Sequence, residues 1–326
     1  MSDPCAAMSA IVQATQAQEA TLSLMQGGQS RFFYRDRRTD KVLLFFHGFT
    51  ATPEQFVPIA TVFYEAGYNV LVPRLPGHGL AGDWNRHQPP PLPEDEQVYQ
   101  AFGEFWLQQA RAFGDRVVIG GLSGGSTLAT WLALKHSQQV DRALLFAPYL
   151  SNSNIAVGLI VRILDIYFEW QTPPTAANLG YPGFLMPALR LFLELGQAVL
   201  DLAEGSPAAP MLIVSSDRDL AVNNKDLAAL FASVLPHQPR SWYFNFDAQF
   251  DVGHNMMSEA EGNECVDFVF AIAKAYVQSD LTWAEVEALR DLVHRGERFD
   301  QAVAILGVGD RTSPDVQTLV TLMVEA

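Results

Sequence analysis

Positive charge is scarce in this chain: 21 Lys and Arg stand against 36 Asp and Glu, a formal net charge of −15 over 326 residues. A protein that grips a phosphate backbone does so with Lys and Arg that displace counterions, so a nucleic-acid binder is excluded. Docking on anionic lipid is disfavoured for the same reason. Cysteine is nearly absent. Cys5 and Cys265 lie far apart and form no CxxC pattern, which removes a disulfide framework and a cysteine-based zinc site as organising principles. The His and Asp residues have no ligand spacing such as HExxH, and neither GxGxxG nor GxxxxGK[ST] is there to cradle a phosphate. The expected metals and cofactors are therefore none. The longest apolar run, Ile155 to Phe168, is broken by Arg162 and Asp165 and is too short to cross a bilayer. The first residues lack a basic segment followed by an apolar one. These features predict a cytoplasmic protein with no stable membrane insertion.

Apolar material, by contrast, is plentiful. Hydrophobic residues make up 49% and charged residues 17%, enough for a large core and incompatible with disorder as the dominant state. At about 150 residues per domain the length suggests about two domains, although one α/β core can absorb most of it.

The pattern along the chain is one of alternation. Residues 1–30 form an N-terminal helical or flexible segment, with a helix expected from Ile11 to Met25. Strands are predicted at Arg31–Tyr34, Val42–Phe46, Tyr68–Val72, Arg116–Ile119, Arg142–Phe146, Pro210–Ser215 and Trp242–Phe246. Val42–Phe46 is apolar at every position, as a strand buried on both faces must be. Helices are expected at Pro53–Ala66, Glu94–Phe113 and Ser126–Lys135. Strands that alternate with helices of this length form βαβ units, hence a mostly parallel central sheet flanked by helices. This core is expected over residues 31–279.

Two segments break the alternation. Between Phe146 and Met211 the chain is far longer than a crossover needs. Within it Leu185, Leu189, Phe192, Leu195, Val199 and Leu202 recur at helical spacing, opposite Arg190, Glu194, Gln197, Asp201 and Glu204. This predicts an inserted helical cap at about 150–207. Residues 280–326 read as a C-terminal helical extension. There Thr282-Trp-Ala-Glu285 has the form of a capping box, Trp283, Val286, Leu289 and Leu292 make one stripe, and Ser313-Pro314 opens a last helix.

The sharpest chemical signal is Gly121-Leu-Ser123-Gly-Gly125, directly after a predicted strand and directly before an apolar helix. A nucleophilic serine on a sharp strand-to-helix turn needs glycine neighbours, because side chains there would strike the adjoining strand and helix. A serine hydroxyl also needs a base, and the base an orienting carboxylate. His254 lies in Asp251-Val-Gly-His254-Asn, beyond the strand Trp242–Phe246. Asp219 lies in Asp217-Arg-Asp219-Leu-Ala-Val222, beyond the strand ending at Ser215, with Asp217 as its competitor. Ser, Asp and His in that order, each past a strand's carboxyl end, is one recurrent hydrolase arrangement. His47-Gly48-Phe49 follows the strand Val42–Phe46. The backbone N–H of Phe49, with that of Gly124, would form a two-donor oxyanion hole.

At these residues the chain resembles the α/β-hydrolase superfamily, over about residues 30–275. The matching pieces are LLFFHGFTATPEQF, RLPGHG (Arg74–Gly79), GLSGG, DRDLAV and VGHNM. HGFT with LPGHG is similar to bacterial carboxylesterases and monoacylglycerol lipases. The resemblance implies ester hydrolysis by Ser123, His254 and Asp219 through an acyl-enzyme, with the cap over an acyl pocket and a small ester with an apolar acyl group as substrate. In DRDLAV the spacing of Asp219 fits the family's acid. One departure is Ser216, where the acid loop commonly has Gly, and the tail after Ser279 lies outside the pattern. His47 is expected to be structural, His78 to brace the loop by the oxyanion hole, and Asp251 to shape the histidine loop. The cap aromatics Tyr167, Phe168, Trp170, Tyr181 and Phe184 suit cap core as well as substrate pocket. The same machinery would also serve a thioesterase, a lactonase or a carbon–carbon bond hydrolase. A non-catalytic interaction protein that uses its C-terminal helices is the alternative from another class.

Overall fold

A computed structural model describes residues 4–171 and 176–325. After an N-terminal helix α1 (Pro4–Glu19) the chain forms β1 (Arg31–Phe33), β2 (Thr39–Phe46), α2 (Val57–Glu65), β3 (Asn69–Val72), α3 (Glu96–Ala110), β4 (Gly114–Leu122), α4 (Gly124–Lys135) and β5 (Arg142–Phe146). The long insertion holds α5 (Ile155–Ile163), β6 (Tyr167–Glu169), β7 (Gly183–Leu185) and α6 (Met186–Ala203). The sheet resumes with β8 (Met211–Ser216), α7 (Asn224–Val234), β9 (Trp242–Phe246) and α8 (Val266–Gln278), and the tail forms α9 (Trp283–His294), α10 (Phe299–Leu306) and α11 (Pro314–Glu325).

The seven-stranded sheet has the order β1-β3-β2-β4-β5-β8-β9, parallel throughout except where β1 pairs antiparallel with β3. Val42 to Phe46 are all fully buried, as their uninterrupted apolar sequence requires of a central strand covered on both faces. From β2 the chain first winds outward to β3, then returns past β2 and builds β4, β5, β8 and β9 on the other side. Such a reversal opens a crevice at the carboxyl ends of β2 and β4, where α/β sheets bind ligands.

The N-terminal helix departs from expectation: it spans Pro4–Glu19 rather than Ile11–Met25. The reason is Glu19, whose buried carboxylate accepts from the Ser30 amide (3.0 Å) and hydroxyl (2.7 Å) and from Arg74 Nε (3.3 Å). Beyond it the backbone is taken up by the loop past β3, with Met25 N–H donating to Gly79 O and Ala81 N–H to Ser23 O. Those bonds replace the helical ladder.

In the insertion, α6 forms almost where the periodicity places it, and Glu194, Gln197, Asp201 and Glu204 stay exposed. The buried stripe is rotated, centred on Ala188, Leu191, Phe192, Leu195 and Val199, while Leu185, Leu189 and Leu202 are only half-buried. Arg190 is not simply on a wet face. It donates to the carbonyls of Val161 and Leu164 and pairs with Asp165 (2.7 Å), which fastens α5 to α6. The antiparallel β6–β7 pair was not anticipated.

The tail packs on the core. Its α11 lies against α8 and α9, with Val286, Leu289, Val316, Leu319 and Val320 buried. Trp242 Nε1 donates to Leu281 O (2.9 Å), Arg142 pairs with Asp280 (3.1 Å) and Lys274 with Asp315 (2.7 Å). Arg142 and Trp242 begin β5 and β9, so the tail covers the end of the sheet opposite the crevice. Its capping box is formed, with Thr282 Oγ1 accepting from Glu285 N and Glu285 Oε2 from Thr282 N. Arg311 fork-bonds the same carboxylate, and together these hold Glu285 down to about 2. Thr282→Ala is therefore expected to lower stability by about 1 kcal/mol, read as a lower urea midpoint at unchanged m-value. Among the described residues no helix is long and apolar enough to cross a membrane.

Candidate active site

Ser123 sits between the last residue of β4 and the first of α4, at φ 54°, ψ −121°. A side chain at positive φ stores about 1–3 kcal/mol of strain and persists only where its surroundings hold it. They do here: Ser123 N–H donates to Phe146 O (3.0 Å), and Ser123 O accepts from Thr127 N (2.9 Å) and Thr127 Oγ1 (3.1 Å). The glycines answer to close approach. A Cβ on Gly125 would lie 2.2 Å from Phe46 O, and one on Gly121 2.5 Å from the Gly125 carbonyl carbon. Only a bare backbone lets β2, β4 and α4 meet this tightly, and the result is a half-buried hydroxyl at the head of a helix.

The turn after β8 carries Asp219, 5% exposed. Its Oδ2 accepts from His254 Nδ1 at 2.7 Å, and its Oδ1 from the amides of Ala221 (2.8 Å) and Val222 (3.3 Å). Burial works against the carboxylate, but His254 and these amides outweigh it, so Asp219 is held below the ordinary carboxylate value. Burial likewise opposes charge on His254. Asp219, with a smaller contribution from Glu261, outweighs it and raises the imidazole above its usual 6.5. Because Nδ1–H is given to Asp219, Nε2 carries the lone pair of the neutral ring. Asp217 is elsewhere: it accepts from Asn245 Nδ2 (2.8 Å). Ser216, the departure from the family pattern, has a task. Its hydroxyl donates to Val252 O (2.6 Å) and accepts from Arg218 N (3.1 Å), tying the acid loop to the histidine loop. Asp251 takes φ 50° at the end of the short helix Ala248–Phe250 and so shapes that loop.

The loop after β2 is braced by two fully buried histidines. His47 Nε2 accepts from Leu75 N (3.1 Å) and its Nδ1 donates to Gly48 O (3.0 Å). His78 Nε2 accepts from Thr50 N (3.1 Å) and its Nδ1 donates to Pro76 O (2.9 Å). Each ring thus needs one lone pair and one proton, the neutral form. Burial agrees, driving His47 well below 6.5 and His78 down to about 4. The amides of Gly48, Thr50 and Ala51 are all engaged within the protein. Phe49 lies between them, its ring packed on Phe184 (4.9 Å) and Phe192 (5.5 Å). Phe192 in turn rests on Gly124. Gly124 opens α4, where the first amides have no partner inside the helix.

Of the aromatics in the insertion, Tyr181 and Phe184 are buried, whereas Phe168 and Trp170 are exposed by more than a third. Tyr181 OH donates to Gly77 O and accepts from Leu80 N (both 2.8 Å), and Trp170 Nε1 donates to Thr50 Oγ1 (2.8 Å). The insertion is thus hydrogen-bonded to the loops that follow β2 and β3. Sequence reasoning missed Gln55 and Glu261, which join the loop after β2 to that after β9. The pattern Ser258-x-x-Glu261, a capping-box form, was a readable sign of the second; nothing local marks the first.

This sheet, with a serine turn after β4 and acid and histidine loops after β8 and β9, has the α/β-hydrolase fold, and the solved structures it resembles share that fold. Residues 37–178 match the family described as Serine aminopeptidase, S33. Within the class the chain resembles monoacylglycerol lipases and esterases. It is 28% identical over 218 residues to a thermostable monoacylglycerol lipase of Bacillus sp. (strain H-257), covering 62% of this chain and 79% of that one. Among solved structures, one from a study of the metagenome-derived lipolytic enzymes LipS and LipT superposes with a TM-score of 0.63 at 17% identity, over 77% of this chain and 98% of the other. A soluble variant of monoglyceride lipase from Saccharomyces cerevisiae gives 0.62 at 13% identity, over 75% and 89%.

Proposed function

We propose that the protein is a cytoplasmic serine esterase that cleaves small carboxylic esters with an apolar acyl group, monoacylglycerols among them. The observation that carries this reading is the 2.7 Å bond from His254 to the buried Asp219 at the sheet end where Ser123 occupies its strained turn. His254 Nε2 takes the Ser123 proton as Oγ attacks the acyl carbonyl. The tetrahedral oxyanion accepts hydrogen bonds from the amides of Phe49 and Gly124, each such donor contributing about 3–4 kcal/mol to the barrier reduction. Collapse breaks the ester bond, and His254 returns the proton to the departing alcohol. Water, deprotonated by His254 in turn, clears the acyl-enzyme. The insertion around α5 and α6, with Phe184 and Phe192 against Phe49, serves as the cap that shields the acyl chain from water.

The resemblance to monoacylglycerol lipases favours an oxygen ester over a thioester, lactone or carbon–carbon bond. The test is a panel in which fatty monoacylglycerols and p-nitrophenyl esters of graded chain length stand beside an acyl thioester, a lactone and aminoacyl anilides. The expected result is kcat/KM highest for an oxygen ester; preference for the anilides or the thioester would overturn the assignment. The pH profile carries a second expectation. Catalysis needs neutral His254, and its pKa lies above 6.5. Activity therefore falls as pH drops through that raised value, and the acid limb of kcat/KM should have its midpoint above 6.5.

A further inference from the structure

Glu261 is a carboxylate in the wrong company for a structural ion pair. It is half-buried, and among the described residues no Lys or Arg pairs with it. Its partners are neutral: Gln55 Nε2 donates to Oε1 (2.8 Å) and Ser258 Oγ to Oε2 (3.0 Å). Burial pushes its pKa up, against these two bonds and against His254, the charged group that acts on it. Buried carboxylates held at such a cost cluster at functional sites. Gln55, 2% exposed, makes its second bond from Gly48, whose N–H donates to Oε1 (2.8 Å). The orientation of that amide is fixed by chemistry, since a flipped group would set its oxygen against the carboxylate and its NH2 against an N–H. A continuous chain therefore runs from Gly48, beside Phe49, through Gln55 to Glu261 and the loop that carries His254. The stretch after the insertion crosses the same two loops: Ala177 N–H donates to Ala260 O (2.7 Å), and Leu179 O accepts from Thr52 Oγ1 (2.8 Å).

We propose that Gln55 and Glu261 are positioning residues that lock the oxyanion loop to the histidine loop, Glu261 adding besides a second carboxylate on His254's own loop. This rests on the esterase reading above. The charged groups that act on His254 are Asp219, from the loop after β8, and Glu261, from its own loop. The two functions of Glu261 are separable by mutation. Gln55→Leu and Glu261→Ala both cut the chain, and each should reduce kcat for a p-nitrophenyl ester about 10- to 100-fold with KM little changed, the penalty of misplaced reacting groups. The double variant should be no slower than the worse single one, because a chain cut once is already cut. Glu261→Gln keeps the bond from Gln55 on its amide oxygen, can donate from its amide nitrogen to Ser258 Oγ in place of the bond it accepted, and loses the charge. It should retain kcat at its optimum yet move the acid limb to lower pH.

The experiment is kcat and KM against pH for the full-length wild type and these four variants, with melting temperatures alongside. If Gln55→Leu does not fold, the isosteric Glu261→Gln still decides through the limb. Multiplying losses in the double variant, an unmoved limb in Glu261→Gln, or lower melting temperatures with kcat intact would each overturn the proposal. A wild type that hydrolyses no ester would instead sink the esterase reading itself, before any variant is compared.

Discussion

Replacing Ser123 with alanine is expected to lower kcat for ester hydrolysis on the order of 10^5- to 10^6-fold, with KM and melting temperature nearly unchanged. The size follows from the role: without Oγ there is no nucleophile, and the base, its carboxylate and the oxyanion donors cannot act as a unit. Residual catalysis comes from binding and the oxyanion hole alone. The fold should tolerate the change because the strain at φ 54° belongs to the backbone and Cβ, which alanine keeps. The bonds that hold the turn, from Ser123 N to Phe146 O and from Thr127 to Ser123 O, are likewise backbone bonds on the Ser123 side. Steady-state kinetics with a soluble ester checks it. A loss under about 100-fold would mean that another group attacks the carbonyl.

Asp219→Asn is expected to lower kcat about 10^4-fold by a different route. The substitution is isosteric, and the amide oxygen can keep the bonds from Ala221 and Val222 at the Oδ1 position. The amide nitrogen would then face His254 Nδ1 and donate to it, which forces the ring proton onto Nε2. A protonated Nε2 cannot take the Ser123 proton. Asp217→Asn serves as the control. Among the described residues the exposed Asp217 carboxylate accepts a bond from the partly exposed Asn245 alone, so its replacement should change kcat by no more than about threefold, as for an ordinary surface change. The reverse order of effects would transfer the acid to Asp217.

What could be read ahead of the structure was local. The strands announce themselves by apolar runs, unbroken over Val42–Phe46 and over Ala143–Phe146 after Arg142, and Gly121-Leu-Ser123-Gly-Gly125 by a spacing that only a sharp turn requires. The preference for Asp219 over Asp217 comes from the family resemblance, in which the acid stands at that distance from its strand. What could not be read depends on partners distant in sequence. The helix α1 ends at Glu19 because Ser30 and Arg74 claim that carboxylate, and neither lies in the periodic window. The β6–β7 pair comprises two three-residue strands, too short for an alternation to register. Gln55 and Glu261 meet across 206 positions, and no spacing rule reaches that far.

The central claim is that Ser123 is an activated nucleophile, and a fluorophosphonate tests it most directly. Such a reagent phosphonylates a serine whose proton is removed by a neighbouring base and whose oxyanion is held, and it leaves ordinary serines alone. The account predicts one adduct per chain by intact mass on the wild type, none on Ser123→Ala, and markedly slower labelling of Asp219→Asn. An adduct that persists in Ser123→Ala, or a folded wild type that takes no label, would contradict it.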